Sequence, residues 1–162
     1  MRLFIALIPD EATVDAVCQT QSMLKAAGVR GSYTSRSNIH LTLAFIGEYD
    51  HPEKILRILR SCGEPSFAIE LAGTGRFGDV WWEGVKANRE MYAYAAKIRA
   101  ELEKAGVPYD KKPFSPHITL LRRPDRDTIP AITPPKAVTV SPHAALMRSD
   151  RGERGMIYTE IK

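Results

Sequence analysis

Two short stretches of the sequence each carry a histidine and a threonine at the same spacing. The first, NIHLTLAF, contains His40 and Thr42, and the second, SPHITLLR, contains His117 and Thr119. Because imidazole titrates near neutral pH, two facing histidines can act as one proton donor and one proton acceptor. Two hydroxyl groups can hydrogen-bond to the non-bridging oxygens of a phosphate between them. These residues therefore predict acid–base chemistry on a phosphate group, with imidazolium or guanidinium neutralising its charge in place of a metal ion.

Both stretches have the pattern of a β-strand with one apolar face. Successive side chains of a strand point to opposite faces, so strict alternation places His40, Thr42 and Ala44 together. The same alternation places Leu43 and Phe45 on the core face, and the second stretch repeats the pattern. A lone histidine in a strand is usually a hydrogen-bonded structural residue. Here a second histidine occurs about half a chain later, again with a threonine two residues after it, and this repetition favours a functional interpretation.

The order of apolar and turn-forming segments predicts an α+β fold. A strand, a helix, a strand, a helix, two strands and a helix precede a series of further strands. Each His-Thr strand follows a turn-rich segment that begins with Gly-Val, which indicates a faint internal duplication. We expect residues 1–162 to form a single domain of two similar lobes related by a pseudo-two-fold axis. Each lobe would contribute one His-Thr strand to a shared cleft.

Composition limits the classes of protein and partner. The 162 residues include 23 Lys and Arg against 19 Asp and Glu, and this net charge of +4 suits an anionic partner. Six arginines occur late in the chain, and a solvated surface explains them equally well: Arg122, Arg123, Arg126, Arg148, Arg151 and Arg154. The two cysteines form no metal motif or disulfide framework. The first apolar run stops at Pro9 and is interpreted as a strand, so we expect a cytoplasmic protein without a membrane segment.

The two motifs and their flanks resemble a known family. NIHLTLAFIGE and FSPHITLLR are similar to the motifs of the two-histidine (2H) phosphoesterases, and more closely to those of the RNA 2′,3′-cyclic phosphodiesterases, also called 2′-5′ RNA ligases. The opening RLFIALIPDE and the closing RSDRGERGMIYTEI also look similar, so the resemblance covers nearly the whole chain. It implies a bilobal fold in which two antiparallel sheets line a central cleft and the helices lie outside.

The resemblance also implies an activity and residue roles. The expected reaction is metal-independent hydrolysis of an RNA terminal 2′,3′-cyclic phosphate to a 2′-phosphomonoester. The ligase name implies in addition a reversible 2′-5′ ligation, which joins the cyclic end to a 5′-hydroxyl. His40 matches the proton donor to the leaving 3′-oxygen, and His117 matches the acceptor that activates water. Thr42 and Thr119 match phosphate-binding hydroxyls. Arg122 matches a phosphate-neutralising arginine, although alternation would point it away from His117, so this role requires a bulge at the strand end.

We expect no cofactor and no metal, RNA ends or cyclic nucleotides as substrates, and a monomer. Two alternatives stay open: a related enzyme acting on another small cyclic phosphate or a 2′-5′ oligonucleotide, and a non-catalytic module that binds RNA ends. GxSxG, GxxxxGK[ST] and HExxH motifs are absent, which disfavours serine hydrolases, P-loop enzymes and zinc proteases. His51 is interpreted as a solvated cap residue at a helix start, and His143 as a structural residue. One of Trp81 and Trp82 should lie in the core, and the stacking candidates are the other tryptophan, Tyr33 and Phe77.

Overall fold

The predicted alternation of strands and helices is present along the chain. The computed structural model describes all 162 residues. Its elements are β1 (Arg2–Ile8), α1 (Glu11–Ala26), β2 (Ser32–Tyr33), β3 (Leu41–Glu48), α2 (Pro52–Ser61), β4 (Ile69–Phe77), β5 (Val80–Val85), α3 (Arg89–Lys104), β6 (His117–Arg122), β7 (Val138–Thr139), β8 (His143–Gly152) and β9 (Gly155–Ile161). A 3₁₀ turn at Arg36–Asn38 precedes β3. No helix is long and apolar enough to cross a membrane.

The strands form one antiparallel sheet with two halves of four strands. The order is β7-β4-β5-β6-β3-β1-β8-β9, and the short β2 pairs with β6. The halves meet where β3 lies beside β6, and a single residue pair, Leu41 with Ile118, joins them. The two sheets expected from the sequence are therefore two halves of one continuous sheet. Since both motifs begin at this junction, each half presents its own His-Thr strand to the centre of the molecule.

The three helices pack against the two halves of the sheet. The helix α1 contacts β6 and β7, whereas α3 contacts β3 and α2 contacts β8. The Asp10 carboxylate accepts a hydrogen bond from the Thr13 backbone N–H (2.8 Å), and this cap starts α1 where the sequence predicts it. One hydrophobic core contains residues of both halves, among them Leu7, Leu24 and Leu120. The helices thereby cover the apolar face of the sheet.

A β-bulge in β3 changes the predicted alternation. Thr42 and Ala44 pair with neighbouring residues of β1, so Leu43 between them has no partner in the register. Leu43 and Ala44 are both fully buried, and Phe45 is 48% exposed. The expectation that Ala44 shares the face of His40 and that Phe45 lies in the core is wrong. The extra residue reverses the alternation, so Phe45 emerges on the side of the histidine.

Candidate active site

The junction of the two half-sheets opens into a cleft lined by the five predicted site residues. Its volume is about 760 Å³, and His40, Thr42, His117, Thr119 and Arg122 all line it. All four motif residues are half-buried, so each is accessible from the cleft while its strand remains packed. The structure therefore brings together residues that lie half a chain apart in sequence.

The two imidazoles are oriented in the same way by the backbone. Nδ1 of His40 lies 2.6 Å from the Asn38 carbonyl oxygen, and Nδ1 of His117 lies 2.7 Å from the Ser115 carbonyl oxygen. Because a carbonyl oxygen only accepts, Nδ1–H must be the donor in both rings. Nε2 is then the atom of each histidine that gains or loses a proton. Nε2 of His40 lies 2.8 Å from the Thr42 hydroxyl, which couples the two residues of the first motif.

The environment of His40 favours its neutral form. Burial lowers the pKa of His40, and the hydrogen bond to the Asn38 carbonyl acts in the opposite direction. The charge of His117, when that ring is protonated, and the charge of Arg122 lower the pKa of His40 further. An anion between the two histidines would counteract both of the last effects. The site thus couples protonation of His40 to the presence of negative charge in the cleft.

A second bulge accounts for the position of Arg122. Thr119 and Leu121 pair with consecutive residues of β5, so Leu120 is the extra residue of β6. Leu120 and Leu121 are both buried, and the alternation after them is reversed. Arg122 therefore lies on the same side as His117 and lines the cleft. The bulge that this role requires is present, and it lies three residues after the histidine, as Leu43 does in β3.

Aromatic rings surround His40 on two sides. The ring centroid of Phe4 lies 5.0 Å from that of His40, and the centroid of Tyr158 lies 5.4 Å away, with the rings of Tyr158 and His40 nearly perpendicular. Neither residue was identified from the sequence. The continuous apolar run of β1 indicates burial of both faces and does not single out Phe4, and Tyr158 lies in the last strand, far from both motifs. The exposed Phe45, 6.0 Å from Phe4, extends this aromatic wall.

Aromatic rings also flank His117. The centroids of Phe77 and Trp82 lie 5.2 Å and 6.3 Å from the His117 ring. Trp81 is buried in the core and Trp82 is half-buried, as the sequence predicts for two adjacent tryptophans of a strand. Phe77 is 47% exposed and lines the cleft. The two histidines therefore have similar surroundings: each has its Nδ1 fixed by a backbone carbonyl and two aromatic rings beside it.

The other two histidines lie outside the cleft. His51 precedes the first residue of α2, is exposed, and lies 3.5 Å from the Glu53 carboxylate. His143 lies at the start of β8, where its Nε2 is 2.8 Å from the carboxylate of Glu160 on β9. His51 is thus a solvent-exposed residue at the N-cap position of α2, although its side chain forms no capping hydrogen bond. The contact between His143 and Glu160 agrees with the structural interpretation of His143. No group of three or more His, Cys, Asp or Glu side chains is arranged to hold a metal ion, and both cysteines are free.

The comparison with known proteins agrees with this geometry. The model of the 2′-5′ RNA ligase superfamily matches residues 11–153, which include both motifs and Arg122. This chain belongs to the 2′-5′ RNA ligase superfamily. One relative of this chain in sequence is an RNA 2′,3′-cyclic phosphodiesterase of Thermotoga maritima, which is 33% identical over 75% of this chain and 70% of its own length. The enzyme of that name from Thermus thermophilus is 32% identical, covering 100% of this chain and 88% of its own.

Solved structures of the superfamily have the same fold. Ligand-free E. coli LigT superimposes with a TM-score of 0.81 at 26% identity, over 99% of this chain and 94% of that one. The complex of LigT with 3′-AMP has a TM-score of 0.78 at the same identity and coverage. The α+β fold predicted for a 2H phosphoesterase is therefore confirmed over essentially the whole length of both chains.

Proposed function

We propose that this protein hydrolyses the terminal 2′,3′-cyclic phosphate of RNA to a 2′-phosphomonoester without a metal ion. The observation that carries the proposal is the pair of histidines with Nδ1 anchored to the backbone, each followed by a threonine, on the two strands that meet at the cleft. This arrangement supplies an acid, a base and phosphate donors at one place. The activity named for the Thermotoga maritima and Thermus thermophilus relatives supports the same reaction.

The proposed reaction uses each of the five cleft residues. Thr42, Thr119 and the Arg122 guanidinium hydrogen-bond to the non-bridging phosphate oxygens and stabilise the charge that develops on them. Nε2 of His117 removes a proton from water as the water oxygen bonds to phosphorus. The bond from phosphorus to the 3′-oxygen breaks, and Nε2–H of His40 donates its proton to that oxygen. The products are a free 3′-hydroxyl and a 2′-phosphomonoester.

The lowered pKa of His40 has a consequence for this assignment. A general acid must be protonated, yet burial and the neighbouring positive charges favour neutral His40. The negative phosphodiester would raise the pKa of His40 on binding, so substrate binding should be accompanied by proton uptake. The protonated imidazole is then formed next to the phosphate, and without a phosphate the cleft favours the neutral form of His40.

Ligation would start from the same cyclic phosphate, with the 5′-hydroxyl of a second RNA attacking phosphorus in place of water and the 3′-oxygen leaving as before. His117 would accept the proton of that hydroxyl and His40 would protonate the 3′-oxygen, so the same five residues would form a 2′-5′ phosphodiester. We also propose that residues 1–162 act as one domain of two lobes, because the main core of 30 buried residues extends beneath both half-sheets. Cytoplasmic location and a monomeric state stay predictions, to be checked by fractionation and by light scattering.

One experiment tests the reaction and its independence from metal. The protein is incubated in EDTA with an oligonucleotide that ends in a 2′,3′-cyclic phosphate, and the product is identified by chromatography against 2′- and 3′-phosphate standards. We expect the 2′-phosphate, and we expect His143→Ala, which alters a histidine outside the cleft, to form it at the same rate. Activity lost in EDTA and restored by one divalent ion would contradict the metal-free reaction, and a 3′-phosphate product would contradict the assigned leaving group.

The roles of the two histidines are tested with an activated substrate. A cyclic phosphodiester whose leaving group departs without protonation should restore turnover to His40→Ala, because the acid is then unnecessary. The same substrate should leave His117→Ala impaired, because water still lacks its base. Rescue of His117→Ala instead would reverse the assignment, and rescue of neither would contradict the acid–base scheme.

A further inference from the structure

A second groove continues from the active-site cleft. Its volume is about 690 Å³, and it shares wall residues with the cleft, among them Arg122, Arg151 and Tyr158. The segment before β3, the end of β6 and the β8–β9 turn form it. The Asn38 side-chain amide donates to the Met156 carbonyl (2.8 Å), so the hairpin of β8 and β9 is tied to the segment before β3. The groove is therefore a built extension of the cleft.

The groove carries positive charge that no carboxylate neutralises. Four guanidinium groups line it, and none of them forms an ion pair: Arg122, Arg123, Arg151 and Arg154. Other arginines of this chain are paired, as Arg148 is with Asp150 at 2.8 Å. Glu153 is the one acidic residue of the groove wall. Four unpaired guanidiniums around one groove are suited to successive phosphate groups, which guanidinium binds in a bidentate manner.

The backbone at Arg123 is strained in a way that holds its side chain at the groove. Arg123 is the one non-glycine residue with a positive φ, 52°, and residues other than glycine adopt this region at an energetic cost. Its N–H donates to the Asp79 carbonyl at 2.8 Å, which holds the turn after β6. Its guanidinium donates to the Ser32 hydroxyl at 3.2 Å. The strained turn thus directs Arg123 towards the β2 side of the groove.

We propose that this groove binds the RNA on the 5′ side of the reacting nucleotide, with the penultimate phosphodiester on Arg123 and Arg154. The inference rests on the proposed function, because the cyclic phosphate at the 3′ end must lie in the cleft and the chain can then leave only in the 5′ direction. Tyr33 and Tyr158 add aromatic rings to the charged wall. A positive groove with aromatic rings is the usual composition of a single-strand binding surface. An acidic peptide would be attracted by the positive charge. Its binding would not require the aromatic rings, and it would not require a groove that continues into the cleft.

The test compares substrates that differ only in length. kcat/KM is measured for a 2′,3′-cyclic mononucleotide and for a trinucleotide with the same cyclic terminal nucleotide. The wild-type protein is expected to prefer the trinucleotide, and Arg123→Gln and Arg154→Gln are each expected to reduce the trinucleotide-to-mononucleotide ratio on the order of tenfold, the usual effect of losing one charged hydrogen bond. Arg148→Gln is the matched control, because Arg148 lies outside both cavities and is paired, and it should leave the ratio unchanged.

Salt dependence gives an independent measurement. The plot of log kcat/KM against log salt concentration should be steeper for the trinucleotide by about 0.7 for each further phosphate bound. Equal kcat/KM values and equal slopes for the two substrates would overturn the groove assignment and leave the proposed hydrolysis intact. An oligoglutamate that competes with the trinucleotide as well as an oligonucleotide of equal charge does would also overturn it, in favour of a peptide site. If neither substrate is hydrolysed, the proposed function fails and the inference falls with it.

Discussion

Glu83 on β5 gives this protein a calculable dependence of stability on pH. Its side chain is fully buried, and neither carboxyl oxygen has a hydrogen-bond partner. The Thr20 hydroxyl lies nearby and donates to the Ala16 carbonyl at 3.2 Å. Burial raises the pKa of Glu83 from its ordinary 4.5 to about 7, and the Thr20 hydroxyl acts in the opposite direction. Because Glu83 pairs with Ile118 of β6, its ionisation would disturb the strand that carries His117.

The magnitude is set by the difference between the two pKa values. The Glu83 carboxyl ionises near pH 4.5 in the unfolded chain and near pH 7 in the folded protein. Between these two pH values the folded state therefore holds one more proton than the unfolded state. Stability therefore falls as pH rises through this window, by about 1.4 kcal/mol per unit, and the loss is complete above about pH 7. A difference of about 2.5 units corresponds to about 3 kcal/mol, a large fraction of the stability of an ordinary domain.

Glu83→Gln tests this reasoning, because the amide has the shape of the protonated acid and does not ionise. Urea unfolding curves at about pH 4.5 and about pH 8 should show the variant close to wild type at the lower pH and about 3 kcal/mol more stable at the higher. Glu64→Gln, which alters an exposed glutamate, is the control and should follow wild type at both values. If Glu83→Gln and wild type lose the same stability between the two pH values, the carboxylate is hydrated in the folded protein and the predicted destabilisation is refuted.

Three further predictions concern the cleft. His40→Ala and His117→Ala should each lower kcat about 10²–10⁴-fold, and the double variant should lose much less activity than the product of the two losses. Thr42→Val and Thr119→Val should lower kcat less, and steady-state kinetics measures all of these values. The rate should depend on pH in a bell shape that belongs to the histidine pair, and a rate rising steadily through about pH 9 would contradict the two-imidazole scheme. Saturation with a 2′-nucleotide should raise the pKa of His40 in an NMR titration, and an unchanged value would exclude proton uptake on binding.

The local structure of this protein could be predicted from the sequence alone. The periodicities of apolar residues predicted the three helices and the main strands, because each depends on side chains a few residues apart. The His-Thr pairs could be assigned to one face of a strand for the same reason, since no bulge separates His40 from Thr42 or His117 from Thr119. The repetition of the motif then pointed to one shared site. The short β2 strand was missed, because two residues carry no periodicity.

Only the tertiary structure decided which side chains enter the cleft beyond each motif. The extra residues Leu43 and Leu120 become bulges through their pairing with β1 and β5, and this pairing is a property of two strands together. Phe45 and Arg122 line the cleft because the extra residue in each strand reverses the alternation of side chains after it. Strict alternation therefore predicted the wrong face for Phe45. The aromatic rings beside the histidines, the unpaired arginines of the groove and the burial of Glu83 likewise depend on distant segments. Local propensity depends on neighbours along the chain, whereas burial and register are set by neighbours in space.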